Sequence, residues 1–190
     1  MSFFDEPKNA GLAMIIVAII SVVAGLVNIV LGATADDGVQ YGSIVVAIGS
    51  LITAVIYFKY GKSVRSGAVS SKIDILAGFV NAVGMITVIS GIFAIIASIW
   101  TGGWANGIIT VILGIIILWC GKKINDGKQD TLDKILWIIL LVIFVIEIIL
   151  NIVSLFAFPV GTILGICGII IYVFMLILLF DSDVKKEMGM

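Results

Sequence analysis

A carboxyl group inside a long apolar segment is the feature of this chain that could do chemistry most directly. Glu147 lies within the segment Ile135–Phe156, with Asn151 four residues later and Ser154 seven residues later. Residues at this spacing share one face of a helix. A charge at the centre of a bilayer costs on the order of 3 kcal/mol or more, so such residues usually face other helices or water. The polar residues of other apolar segments that could face Glu147 are Asn28, Ser21, Asn81, Thr87 and Ser90.

We therefore predict an intramembrane polar cluster of Glu147, Asn151, Asn28 and Asn81. Two interpretations of Glu147 stay open. It can be a neutral, hydrogen-bonded glutamic acid that holds helices together, or a protonatable carboxylate in a transport or proton path. A single carboxylate with no basic partner and no second acid at its depth favours the structural interpretation.

The other reactive residue types of the chain do not indicate a catalytic or metal site. The chain contains no histidine, which excludes imidazole general-base catalysis and histidine metal sites. Cys120 and Cys167 lie inside apolar segments at different depths, too far apart for a disulfide. The adjacent Asp36 and Asp37 are too few for a calcium site, which needs roughly 6–8 oxygen ligands. We predict a protein that is not an enzyme and has no cofactor and no metal.

The composition indicates a membrane protein. Of 190 residues, 62% are hydrophobic and 12% are charged, whereas an ordinary soluble domain is about half apolar and a quarter charged. The net charge of −1 gives no basic surface for nucleic acid, so no nucleic-acid partner is predicted. The expected fold is all-α, with residues 1–190 forming a single transmembrane domain.

Six apolar segments approach or exceed the roughly 20 residues that cross the hydrocarbon core as a helix. The long stretch from Ile75 to Gly121 is divided at Gly102 and Gly103, and the last stretch is divided at Pro159, because glycine pairs and proline interrupt helices. The first segment is too long for a signal-peptide core of about 7–15 residues, so we expect it to be retained. The predicted spans are Gly11–Gly32, Val39–Phe58, Ile75–Trp100, Trp104–Gly121, Ile135–Phe156 and Val160–Phe180.

The basic residues predict the orientation. With six spans, all eleven Lys and Arg residues fall on one side of the membrane. Basic residues near helix ends are retained in the cytoplasm during insertion. We therefore predict a multi-pass protein of the cell membrane with both termini in the cytoplasm. The basic residues are Lys8, Lys59, Lys62, Arg65, Lys72, Lys122, Lys123, Lys128, Lys134, Lys185 and Lys186.

Glycine pairs predict an internal repeat. In each even-numbered span two glycines stand seven residues apart, and an isoleucine follows the first glycine by two residues. Residues seven apart lie on one helix face, and small residues allow spanning helices to approach closely. We predict three tandem helical hairpins, approximately residues 1–67, 68–127 and 128–190. The predicted helix-packing glycines are Gly42 and Gly49, Gly107 and Gly114, Gly161 and Gly168, together with Gly165.

The stretches Gly42–Ile52, Gly107–Ile117 and Gly161–Ile171 each read roughly G-x-I-x4-G. In this pattern and in its three-hairpin layout the chain resembles the HdeD-like family of small membrane proteins linked to acid resistance. The resemblance implies a six-helix membrane protein with no known catalytic residues and a role in stress.

The sequence thus predicts a non-enzymatic integral membrane protein, either structural or stress-related or an accessory subunit of a membrane complex. The alternative is a small proton- or ion-coupled transporter or channel that uses Glu147. The expected partners are the lipid bilayer and either further copies of the chain or a larger membrane complex.

Overall fold

A computed structural model describes residues 3–127, 129–156 and 160–190. Throughout these residues the regular structure is helical, and six helices are long and apolar enough to cross a membrane. The predicted fold class, an all-α multi-pass membrane protein, is confirmed. The predicted break at Pro159 and the basic residue Lys128 lie outside the described residues. A short 3₁₀ helix, Phe3–Asp5, precedes α1 Pro7–Ala33, α2 Tyr41–Ser66, α3 Lys72–Thr101, α4 Trp104–Ile124, α5 Thr131–Ser154, α6 Val160–Phe180 and α7 Ser182–Glu187.

Local signals set the helix ends. Pro7 occupies the first turn of α1, where its missing N–H has no helical partner to lose. α2 ends at Gly67, whose φ of 73° is the left-handed conformation typical of a C-cap. Gly102 and Gly103, with φ of 71° and 82°, form the tight connection between α3 and α4. Asp130 and Asp133 form a reciprocal capping box at the start of α5.

Each pair of consecutive spanning helices packs as a hairpin: α1 with α2, α3 with α4, and α5 with α6. The hairpins join through contacts of α2 with α3 and of α1 with α6, whereas α4 touches α5 only slightly. The order around the bundle is therefore α4, α3, α2, α1, α6, α5. This order places α6 beside the first hairpin, so residues far apart in sequence meet in the middle of the bundle.

The buried apolar core lies at one end of the bundle. We call this the basic end, because the Lys and Arg residues stand here, where α1, α3 and α5 begin; the other end is the open end. Fully buried residues such as Met14, Leu76 and Met175 lie toward the basic end, and the buried Phe144 lies near the middle of α5. The open end carries no comparable core among the described residues and instead holds a wide cavity, described below.

The glycine faces contact neighbouring helices, but different ones in different hairpins. In α4, a Cβ on Gly114 would lie 2.6 Å from the backbone nitrogen of Val88 in α3, its own hairpin partner. In α2, a Cβ on Gly49 would lie 2.7 Å from Phe93 of α3, which belongs to the next hairpin. Because equivalent glycines serve non-equivalent contacts, the tandem repeat stays a prediction. Of the other predicted glycines, Gly107 faces Ile95 of α3, Gly42 faces Thr101 of α3, Gly165 and Gly168 face Asn151 of α5, and Gly161 is half-buried.

Candidate functional site

Glu147 faces the inside of the bundle and has a polar neighbour. It is half-buried on α5, and the hydroxyl of Tyr172 on α6 is close enough to interact with its carboxyl group. The two side chains line a cavity of about 270 Å³ between α3, α4, α5 and α6, which Thr87 of α3 also lines. The helices thus hold the Glu147 carboxyl group in a partly open cavity beside a phenol.

Tyr57 of α2 completes this arrangement. It is close enough to interact electrostatically with both Tyr172 and Glu147. It also lines a second cavity of about 270 Å³ with Ser21 of α1, Thr53 of α2 and Tyr172. Tyr172 belongs to both cavities, so the two adjoin at its side chain. We refer to Tyr57, Tyr172 and Glu147 as the tyrosine–glutamate centre.

An aromatic layer lies beside this centre. The ring of Phe79 meets the ring of Tyr172 edge-on at a centroid distance of 5.8 Å and the ring of Phe144 at 6.2 Å. Both phenylalanines are buried, with 2% and 1% of their surface exposed. Phe79 lies on the basic-end side of the centre, and Phe144 lies one turn from Glu147 on α5.

Asn151 lies one turn from Glu147, as predicted, but it acts in helix packing. Its Nδ2 donates to the backbone oxygen of Glu147 at 2.8 Å. Its side-chain amide lies directly against Gly168 of α6, where no side chain could fit. Asn151 therefore fastens α5 to α6, and its amide is engaged locally.

Asn81 and Asn28 do not join Glu147. The Asn81 amide packs against Gly121 of α4, about 13 Å along α3 from its beginning at the basic end. Asn28 is exposed and lines the cavity at the open end. Glu147 and Asn151 thus lie together. Asn81 lies nearer the basic end and Asn28 nearer the open end. Residues on different helices can share a site only when they lie at the same depth.

The open-end cavity has a volume of about 710 Å³ and is walled by α1, α2, α3 and α4. Its polar lining side chains are all uncharged. It reaches down α2 to Ser50, about 13 Å from the start of that helix. The polar side chains that line it are Asn28, Gln40, Ser43, Ser50, Thr101 and Asn106.

Sequence reasoning missed the tyrosines. The signal was present in α2, where Ser43, Ser50, Thr53, Tyr57 and Tyr60 recur at spacings of seven, three, four and three residues. Such spacing defines one helix face. Tyrosine is amphipathic, so this face becomes evident only when the tyrosine hydroxyls are included among the polar groups of the span.

Ion pairs fasten the basic end. Nζ of Lys123 lies 2.8 Å from Asp126, 3.1 Å from Asp130 and 3.4 Å from Asp133. The hydrogen bond from Lys123 holds the pKa of Asp130 below its usual range. Lys72 of α3 lies 2.6 Å from Asp181, and this hydrogen bond likewise lowers the pKa of the Asp181 carboxyl. Apart from the contact with Asp126, these ion pairs join different helices or their N-caps, so they could not be predicted from local sequence patterns.

Comparisons of the chain with protein-family models, with curated proteins and with solved structures give no match. The resemblance to the HdeD-like family accordingly stays a prediction, and function has to be argued from the site itself.

Proposed function

We propose that this chain is a non-enzymatic integral membrane protein that serves as a structural or stress-related component, or as an accessory subunit of a larger membrane complex. The observation that carries the proposal is how little of the described chain lies outside the spanning helices. The fully described connections 34–40, 67–71 and 102–103 span at most seven residues. Connections of this length offer no room for a catalytic domain, so the chain interacts with its surroundings through its helices and their ends.

The orientation belongs to the same proposal. The basic end faces the cytoplasm of a cell membrane, since lysine and arginine near helix ends resist translocation. The exposed apolar faces of the helices contact lipid, and either a second copy or another membrane protein covers part of them.

Purification in a mild detergent tests the accessory role. A tagged chain expressed at its natural level should bring down a reproducible membrane partner or further copies of itself, and native mass spectrometry should give the stoichiometry. A tagged, unrelated six-span protein is the control for non-specific capture. If the chain is monomeric and alone, and transports a solute when reconstituted by itself, the proposal is wrong.

A second candidate function is a proton- or ion-coupled path through Glu147. The specific observation in its favour is that the half-buried Glu147 lies close to Tyr172 and Tyr57 at adjoining cavities. Carboxyl groups so placed are typical of proton relays in membrane proteins.

Flux into liposomes that contain only this chain tests the second candidate. Proton flux should be abolished by Glu147→Gln as fully as by Glu147→Leu, because an amide cannot release a proton. Ile146→Leu, a change on the adjacent exposed residue, is the matched control and should retain flux. Wild-type protein with no flux above empty liposomes would eliminate this candidate.

A further inference from the structure

The cavity at the open end and the cavities around Glu147 lie on the same faces of the same helices. On α1, Asn28 lines the open-end cavity and Ser21, seven residues earlier, lines the central one. On α2 the corresponding pair is Ser50 and Thr53. Residues three or seven apart share a helix face, so the open-end cavity and the central cavity are aligned on common helix faces.

α3 and α4 show the same alignment. On α3, Thr101 lines the open-end cavity and Thr87, fourteen residues earlier, lines the cavity of Glu147. On α4 the corresponding residues are Asn106 and Ile117. On all four helices the residues that line the open-end cavity and those that line the central cavities share a face. We refer to these shared faces, from the open end to the tyrosine–glutamate centre, as the groove.

The groove is polar on one side of the centre and closed on the other. From the open end it passes the uncharged polar residues Ser50 and Thr53 before it reaches Tyr172. On the basic-end side of the centre Phe79 is buried, Leu76 has no exposed surface, and the hydroxyl of Tyr60 is taken up by a hydrogen bond to the backbone oxygen of Ile75. Water enters cavities that offer polar partners and leaves apolar ones dry, so hydration should extend from the open end and stop at Phe79.

We infer that Glu147 is a proton-binding site that is reached by water from the open end of the bundle alone. The proton binds to the carboxyl oxygen of Glu147, with the hydroxyls of Tyr172 and Tyr57 as the hydrogen-bonding groups on its route. The other titratable side chains near this centre are Tyr60 of α2 and Cys167 of α6. α3 and α4 contribute Thr87 and Ile117, which do not titrate.

This inference rests on the second candidate function for the assumption that Glu147 binds a proton. It concerns the access of water to Glu147 and not the flux of protons across the membrane. A groove open at one end allows binding and release of protons on one side without conduction. An accessory protein with such a site would respond to the pH of the compartment at its open end. Access and flux are measured separately, so either idea can fail while the other stands.

Cysteine labelling in liposomes measures the access. In a background with Cys120→Ala and Cys167→Ala, single variants are treated with a charged, membrane-impermeant thiol reagent. Ser50→Cys and Thr53→Cys report the groove, and Ile52→Cys is the matched control, since Ile52 lies at the same depth with 42% of its surface exposed on the outer face. Asp37→Cys and Ser66→Cys mark the open and basic ends and report how many molecules have each end outside.

Ser50→Cys should react about tenfold or more faster than Ile52→Cys, because the thiolate is the reactive form and does not form in hydrocarbon. Thr53→Cys should react more slowly than Ser50→Cys. The final labelled fraction should be the same for both variants and should equal that of Asp37→Cys. Leu76→Cys, on the closed side, should stay unlabelled.

Three outcomes overturn the inference: Ser50→Cys no faster than Ile52→Cys, a labelled fraction that follows Ser66→Cys, or labelling of Leu76→Cys. Gel filtration of each variant shows that it is folded. The serine-to-cysteine change is nearly isosteric, so Ser50→Cys gives a result even if another variant fails to fold.

Proton access itself is read with an apolar carbodiimide, which modifies protonated carboxyls in membranes. Modification of Glu147 should decrease when the pH is raised on the open-end side and stay constant when it is raised on the basic side only. Glu147→Gln is the control for reaction elsewhere. Equal sensitivity to the pH of both sides would contradict one-sided access.

Discussion

The pairing of Glu147 with Tyr172 explains how a carboxyl group is tolerated in the middle of a spanning helix. A tyrosine hydroxyl donates or accepts a hydrogen bond, so it satisfies the carboxyl group in either protonation state. Buried polar groups are costly when they lack such a partner. Each of the two side chains is therefore the hydrogen-bonding partner of the other.

Glu147→Gln should leave stability nearly unchanged, because the amide keeps both a donor and an acceptor for Tyr172. Glu147→Leu should lower the free energy of unfolding by about 1–2 kcal/mol, because it leaves the Tyr172 hydroxyl without its partner. Unfolding in mixed detergent micelles measures the difference. In Tyr172→Phe protein, the penalty of Glu147→Leu should shrink; an undiminished penalty would show that the two side chains are not coupled.

Lys123 is the second residue with a testable role. It stands among Asp126, Asp130 and Asp133, and Asp133 has only 2% of its surface exposed. Lys123→Met should therefore lower the Tm in detergent, because three carboxylates remain together without a cation. Lys122→Met, which changes the adjacent exposed lysine, is the control and should leave the Tm unchanged. Equal Tm values for the two variants would show that the ion cluster contributes nothing.

The same cluster predicts a pH dependence. The pKa of Asp130 is lower in the folded state than its unfolded value of about 3.9. The stabilisation from Asp130 is therefore fully present above that unfolded value and is lost as the pH falls through its lower folded-state pKa. The Tm of the wild type should decrease across this window, and the Tm of Lys123→Met should decrease less. Parallel curves for the two proteins would contradict the assignment.

At the scale of whole helices, close contact between α3 and α4 depends on reciprocal glycines. A Cβ on Gly107 would lie 2.8 Å from the backbone of Ile95, and a Cβ on Gly91 would lie 2.7 Å from the backbone of Val111. Backbone atoms cannot move aside as a flexible side chain can. Small residues at such positions let spanning helices approach closely enough for dispersion contacts to hold them.

Gly114→Ala should thus destabilise the protein by about 1–3 kcal/mol through overpacking against Val88. Ile115→Ala is the matched control, because Ile115 is 55% exposed on the outer face of the same helix and its truncation leaves the interface intact. Unfolding in mixed micelles measures both variants. A Gly114→Ala protein as stable as Ile115→Ala would mean that α4 can shift away from α3 at little cost.

Helix positions could be predicted from the sequence far better than helix partners. The predicted span Val160–Phe180 coincides with α6, and Trp104–Gly121 lies within α4, because apolar length and glycine breaks are local properties. That Gly49 would face α3 and not α1 depends on the arrangement of all six helices, which no local pattern records. The position of Tyr172 beside Tyr57 could not be predicted for the same reason, because only the contact of α6 with the first hairpin brings the two residues together.

The bundle as a whole is asymmetric along its axis. Apolar packing, ion pairs and every Lys and Arg residue of the described chain occupy the basic end, whereas the open end holds a cavity of about 710 Å³ with uncharged polar walls. The basic end is therefore the more densely packed part of the molecule. The open end is the part that can admit water or a ligand. The orientation of the bundle in the membrane therefore determines which compartment the open-end cavity is exposed to.

The orientation of the bundle in the membrane gives the last prediction. Positive charge near helix ends is retained in the cytoplasm, so the basic end should face the cytoplasm and the open end the exterior. In intact cells, an impermeant thiol reagent should label Asp37→Cys and leave Ser66→Cys unlabelled until the membrane is permeabilised, with Cys120 and Cys167 replaced by alanine in both variants. If Ser66→Cys is the one labelled in intact cells, the bundle is inverted, and the groove to Glu147 opens to the cytoplasm.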